Sequence, residues 1–225
     1  MSRESIHTEA VILHYIDYAD NSIIVRLYTQ THGLLSCIAK GVKTKPKKGT
    51  NKMSCFLPLN IVDTVIYYQQ DKELHLLSEI HSIWYHQTLH TDIKKMAYTS
   101  FLAEFLLRVL HEEDQPDLLF SFLKEKIIRL DQQSDKLLNL YFHILLNVCG
   151  YLGYKPDLAT WHSLLDVDEV SIASFLTEIY ANPDYDYTLS DKEKKVALSV
   201  TERFMQMHIQ GFKPLQSTTI WSLIY

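Results

Sequence analysis

The apolar residues of this chain change their period near residue 82, and that switch constrains the fold more than any other feature. Before it they recur at every second residue in short runs, the spacing of half-buried strands. After it they recur at every third or fourth residue, the spacing of one helix face. Two periods in two separate stretches read as a β domain followed by a helical one, rather than as strands and helices alternating through one sheet. With 225 residues, 47% of them hydrophobic, the chain can fill two small cores.

In the front stretch Glu9, Val11, Leu13 and Tyr15 fall on one face of a first strand, with Ala10, Ile12 and His14 on the other. A turn at 18–22 leads to Ile23, Val25 and Leu27 alternating with Ile24, Arg26 and Tyr28. Thr31-His32-Gly33 turns into a third strand, 34–40. Residues 59–68 and 73–80 supply the last two, joined by the turn Gln69-Gln70-Asp71-Lys72. Five short strands in about 80 residues fit a small Greek-key barrel of the OB type, whose open face commonly binds single strands. In the rear stretch Tyr98, Phe101, Leu102, Phe105, Leu106 and Val109 form a helical stripe. Leu119, Leu123, Ile127 and Leu130 form a second, and Leu138, Tyr141, Phe142, Leu145, Cys149 and Leu152 a third, stopped by Gly153 and Pro156. A short helix is expected over 171–180. Ser190-Asp-Lys-Glu193 is a capping box opening a helix with Val196, Val200 and Met207 inward. The expected class is therefore α+β: an all-β OB-fold barrel over residues 1–80, then an all-α helical bundle of about five helices over 81–225.

The formal net charge is −5, but it is unevenly spread. Residues 1–80 sum to +1 and residues 81–225 to −6. Lys40, Lys43, Lys45, Lys47, Lys48 and Lys52 fall in thirteen residues without an acid, punctuated by Gly41, Pro46 and Gly49 as a loop. Charges beyond about 10 Å are largely screened, so this loop attracts phosphate despite the acidic remainder. The plain alternative is a solvated loop that binds nothing. Arg26 and Tyr28 share one strand face beside it, where an arginine can hold a phosphate and a ring can stack a base; a barrel side chain at a domain seam is the equal alternative.

Catalytic signatures are missing. No glycine-rich phosphate loop follows a strand, and no Gly-x-Ser-x-Gly elbow exists. The acids at 112–114 and at Asp166, Asp168 and Glu169 sit at polar breaks and read as solvated helix ends. His86 and His90 stand four apart with His81 and Asp92 nearby, a spacing that on a helix could hold a metal through two imidazoles. No glutamate follows the first His, so the metalloprotease pattern is absent, and a metal-dependent hydrolase built on His81, His86 and His90 is the third, minor reading. Three distant cysteines, Cys37, Cys55 and Cys149, offer no disulfide framework and suggest a reducing compartment; Cys37 and Cys149 lie in apolar stripes. The first residues are too polar for a signal peptide. No apolar run approaches the roughly 18–20 residues that span a bilayer.

The motifs in order resemble a known family. They are Tyr18-x3-Ser22, 23–29, His32-Gly33-Leu34, Ala39-Lys40-Gly41, the basic loop, Leu57-Pro58-Leu59, Asp92-Ile-Lys-Lys, 101–106, 119–123, 152–158 and 213–217. Together they resemble the recombination mediator RecO, most of all its Bacteroidetes version. The resemblance implies an OB-fold followed by a helical domain, and no catalytic turnover. It implies binding of single- and double-stranded DNA and annealing of complementary strands. It also implies action with RecR, recognition of the acidic-apolar tail of single-strand DNA-binding protein, and help in loading recombinase. A cytoplasmic, nucleoid-associated location follows from the same resemblance. Many members carry a four-cysteine zinc motif after the Gly-Tyr-x-Pro segment. Here 158–165 has no cysteine, so zinc is not expected, nor any other cofactor, and Trp161 and Leu164 would supply apolar contacts instead. Some relatives also place an arginine after the first turn, where Ile23 and Ile24 stand here.

The expected nucleic-acid-binding residues are therefore Arg26, Tyr28, Lys40, Lys43, Lys45, Lys47, Lys48 and Lys52. The tail of the single-strand-binding protein needs an apolar groove flanked by cations, for which Lys94, Lys95, Arg108, Lys124, Lys126, Arg129 and Arg203 are candidates. The rival expectation is an interaction scaffold, in which the barrel docks a partner such as RecR and the lysines only aid solubility.

Overall fold

A computed structural model describes residues 4–43, 52–111 and 116–217. Lys45, Lys47 and Lys48, and the acids at 112–114, lie outside the described residues. Five strands come first: β1 Glu4–Tyr18, β2 Ser22–Thr29, β3 Gly33–Lys40, β4 Ile61–Tyr68 and β5 His75–Ser82. They close into a barrel in the order β1-β2-β3-β5-β4. Four of the pairings are antiparallel, while β3 and β5 run parallel through Cys37↔His75, Ile38↔Leu76 and Ala39↔Leu77. This is the OB-type order.

Alternation fills the barrel. Ile23, Val25 and Leu27 of β2 and Leu35, Cys37 and Ala39 of β3 point into one core with Ile6, Ala10, Ile12, Val62, Ile66 and Leu77. Burial pushes the Cys37 thiol up to about 12, so it is an inert core group. The simple alternation expected for β1 fails at one place. The register shifts between Ile12 and His14, a bulge that sets an extra residue against the partner strand. Tyr15 therefore packs against the core instead of sharing the outer face with Val11 and Leu13.

The helices are α1 Ile93–Val109, α2 Pro116–Gln132, α3 Leu137–Tyr151, α4 Leu158–Leu164, α5 Val170–Ala181 and α6 Asp191–His208. The chain divides into two compact units, Met1–Asp92 with Leu110–Asp131, and Ile93–Val109 with Gln132–Tyr225. The linker to Asp92 and most of α2 group with the barrel strands in the first unit. Two polar tethers explain the attachment of α2: Lys124 donates to Glu9 of β1 at 2.5 Å, and Gln30 to Asp117 at 2.8 Å.

The strongest anchor in this unit is Asp131, 2% exposed at the end of α2. Its carboxylate accepts from the backbone N–H groups of Gln87, Thr88 and Leu89 at 2.8–3.1 Å and from Trp84 Nε1 at 3.4 Å. Burial pushes this carboxyl up, but the three N–H donors and nearby His86 outweigh it and hold the group at about 2. His86 lies in irregular backbone and His90 in a turn, so neither is on a helix. The Nε2 of His86 lies 3.1 Å from the Leu59 carbonyl and that of His90 3.0 Å from Asn60 Oδ1, so the pair is committed to the linker. Burial lowers both imidazoles below 6.5.

In the helical unit the stripes of α1 and α3 meet through Phe101 and Tyr141, whose rings cross at 5.1 Å. Gly153 closes α3 with a φ of +91°, and Asp157 caps α4 by accepting from the Thr160 N–H at 2.7 Å. Trp161 is fully buried, 5.2 Å from the Phe204 ring. The capping box at Ser190 and Glu193 opens α6 as the sequence implies. Its inward stripe, however, is Ala197, Val200, Thr201, Phe204 and Met205, and Met207 is 63% exposed. Asp166 and Glu169 form a second capping box, which accounts for those acids as a helix end. Glu104 of α1 accepts from the N–H groups of Gln216 and Ser217 at 2.8 and 2.9 Å and also engages Arg108. Two of the motifs, 101–106 and 213–217, are therefore two sides of one contact.

Acid should weaken the fold in two stages. His86 and His90 have lowered folded-state pKa values, so stability falls as pH drops below 6.5. The Asp131 contribution is complete above 3.8 and is lost as pH falls toward about 2. Urea titrations across this range should show both declines. Asp131→Ala should cost about 3 kcal/mol at neutral pH by orphaning buried donors. It should also make the lower decline shallower by about 2 kcal/mol.

Candidate nucleic-acid interface

The basic stretch leaves the barrel through buried anchors at both ends. On one side Val42 is 4% exposed and its N–H reaches the Asn21 carbonyl at 3.0 Å. On the other, Phe56 is fully buried at the end of a 3-10 turn spanning Lys52–Phe56. Both anchors belong to the barrel core, so the two ends arrive at the same mouth. There Lys40 and Lys52, both exposed, line one cleft of about 280 Å³ with Val42, Phe56, Glu79 and His81. Two cations twelve positions apart are thus brought to one opening, flanking the segment that carries Lys45, Lys47 and Lys48.

The other expected residues fare differently. Lys43 sits beside this mouth but holds Asp17 at 2.7 Å, so phosphate must compete with a carboxylate for it. Arg26 pairs with His14 and Ser36 on the outer face, half-buried, and its Nε is buried without a hydrogen-bond partner among the described residues. Lys40 is paired with Ser22, four residues along β2 from Arg26, so about 13 Å separates the two positions. Tyr28 is a correction. Its ring faces outward but is 0% exposed, as is its cross-strand neighbour Val11, and it offers no surface on which a base can stack.

Sequence spacing also missed an acid and a cation. Glu79 comes to the cleft from β5, nearly thirty residues after Lys52, and dilutes the positive field. Lys72, in the turn between β4 and β5, lines a neighbouring cavity that shares Lys40. The parallel β3–β5 pairing is what brings both beside the lysine stretch, and no local window of sequence reveals it. Among the described residues no group of three or more His, Cys, Asp or Glu is placed to hold a metal ion. No helix among them is long and apolar enough to cross a membrane.

The helical unit has its own cleft, about 410 Å³, between α4 and α6. Leu164, Leu165, Val196 and Val200 give it apolar walls; Lys195 and Arg203 supply cations, and Asp166 and Glu169 line it too. Of the other candidate cations, Lys95 is buried, Arg108 is engaged by Glu104, Lys124 by Glu9 and Lys126 by Glu125.

Two family models match the chain. Recombination protein O N terminal covers residues 1–85, and Recombination protein O C terminal covers residues 90–161. Curated relatives align nearly end to end. The DNA repair protein RecO of Christiangramia forsetii is 29% identical over 98% of this chain and 99% of its own length. That of Flavobacterium psychrophilum is 26% identical over 98% and 99%, and that of Bacteroides fragilis 26% over 95% and 96%. The match extends through both units, and the chain belongs to the RecO recombination protein family.

Proposed function

We propose that this protein is a non-enzymatic DNA-binding mediator of recombinational repair, and that the barrel mouth is where it holds DNA. The observation that carries the reading is the convergence of Lys40 and Lys52 on one cleft, with the rest of the lysine stretch between them in sequence. Lys40, Lys52, Lys45, Lys47 and Lys48 neutralise phosphates, with Lys43 and Arg26 as secondary contacts. Annealing follows physically, because cations between two strands screen the repulsion that keeps complementary phosphate chains apart. Membership of the family supports action with RecR, recognition of the single-strand-binding protein, and recombinase loading. A scaffold that docks RecR and leaves DNA untouched is the competing reading, and the barrel's cation-lined opening favours DNA binding over it.

The acidic-apolar tail of the single-strand-binding protein fits the cleft between α4 and α6 better than any other candidate site, because Arg203 and Lys195 stand there beside four aliphatic side chains. A labelled peptide of that composition should bind the full chain. Arg203→Glu should weaken it at least about tenfold, the loss of one charge-assisted contact. An unchanged affinity would move the tail elsewhere.

For DNA, affinity of the full chain for a labelled oligothymidylate should fall with salt at a log–log slope of about −4 if about six phosphates are engaged. Lys40→Ala with Lys52→Ala should flatten the slope by about 1.4, and Lys45, Lys47 and Lys48 all to Ala by about 2. Glu79→Gln should tighten binding at low salt. A slope indifferent to all of these changes removes the cleft from the interface, and no binding at low salt leaves the scaffold reading.

A further inference from the structure

The outer wall of the barrel beside Lys40 carries a feature that phosphate binding does not use. Ile38 of β3 pairs with Leu76 of β5, and Leu76 pairs with Tyr67 of β4. Their chain neighbours Cys37, Ala39, Leu77 and Ile66 fill the core, so strand alternation sets this row of three on the outside. All three are half-buried, and Leu74 beside them is 38% exposed. Strands stand about 4.8 Å apart, so the row makes an apolar ledge about 10 Å across. It lines a shallow cavity of about 160 Å³, with Lys40 and Lys72 among the lining residues and no carboxylate.

An aromatic ring and aliphatic floor bracketed by two ammonium groups matches one ligand chemistry closely: an uncharged flat ring attached to a chain of negative charges. We infer that the ledge is a stacking subsite for an unpaired nucleobase, with Tyr67 as the platform and Lys40 and Lys72 on the flanking phosphates. This deepens the DNA-binding reading and rests on it. It supplies the ring that Tyr28 cannot. Lys40 lines both this cavity and the cleft with Lys52, so one strand can pass from ledge to cleft across it. The consequence is a preference for single strands. A base in a duplex has both faces covered by its neighbours, so a duplex gains only the phosphate term here. No base edge is read by a donor pattern, so the preference is indifferent to sequence.

The test compares, on the full chain, an oligothymidylate with an abasic sugar-phosphate strand of the same length. The unmodified protein should bind the base-bearing strand at least about fivefold more tightly. Tyr67→Ala should abolish that ratio while leaving the salt slope unchanged, and Tyr67→Phe should retain it. Lys72→Ala should weaken both strands alike and flatten the slope by about 0.7. A strand carrying 5-iodouracil should photo-crosslink to Tyr67. Should Tyr67→Ala keep its far-ultraviolet circular dichroism and still discriminate the two strands, the inference is overturned. It is also overturned if the unmodified chain binds both strands equally with a steep salt slope, an outcome that leaves phosphate binding intact. Binding of neither strand at low salt overturns the DNA-binding reading itself.

Discussion

Three residue pairs between β3 and β5 close the barrel, and everything proposed for its surface depends on them. They are parallel, so they cannot be made by a hairpin; the chain must travel from the end of β3 through the lysine stretch and β4 before β5 can dock. That crossing is why the basic stretch begins and ends at the barrel. Val42 and Phe56 are buried at its two ends because closure provides a core to receive them. The same pairing sets Leu76 beside Ile38 and draws the Lys72 turn toward Lys40. A one-residue slip would turn Leu76 inward and Leu77 outward, losing core and ledge together.

The electrostatics follow from this geometry rather than from the overall charge. A chain of net −5 can present a cationic mouth because screening confines each charge to its neighbourhood. Within that neighbourhood the balance is local. Asp17 holds Lys43, Glu79 shares the cleft with Lys40 and Lys52, and the ledge cavity has lysines without acids. Carboxylates thus line the cleft but not the ledge cavity, although exposed Asp71 and Glu73 flank Lys72 in its turn. Elsewhere in the first unit charge serves assembly: buried Asp131 gathers the N–H groups of 87–89, and half-buried Glu9 anchors Lys124.

Much of the fold was legible because local rules were obeyed. The change of period separated strands from helices, Ser190 and Glu193 announced the start of α6, and Cys37 and Cys149 lie in the core where their stripes put them. The failures are equally physical. A bulge at Ile12/His14 shifts the alternation by one and moves Tyr15, which no single-strand pattern reveals. Met207 keeps the stripe spacing, seven residues after Val200 and three after Phe204, yet it falls in the last turn of α6 and is exposed. Residues 158–164 fold as a short helix because Asp157 caps them and Trp161 buries, signals too brief to carry a period. The lysines at the mouth were visible as a run, whereas Glu79, Lys72 and Tyr67 reach the site only through strand order. Tyr28 shows the reverse error: its face was assigned correctly, but the covering of that face was not visible in β2 alone.

The central claim is that the lysines around the barrel mouth, and not cations at large, meet the phosphate chain. Carbon-13 dimethylation of the lysines reports on each ammonium group separately by nuclear magnetic resonance. On titration of the full chain with a single-stranded oligonucleotide, the signals of Lys40, Lys52 and Lys72 should shift together at one affinity, while Lys136 and Lys194, held by Asp186 and Asp191 in the helical unit, keep theirs. Shifts confined to the helical unit, with the three mouth lysines unmoved at saturation, would contradict the account.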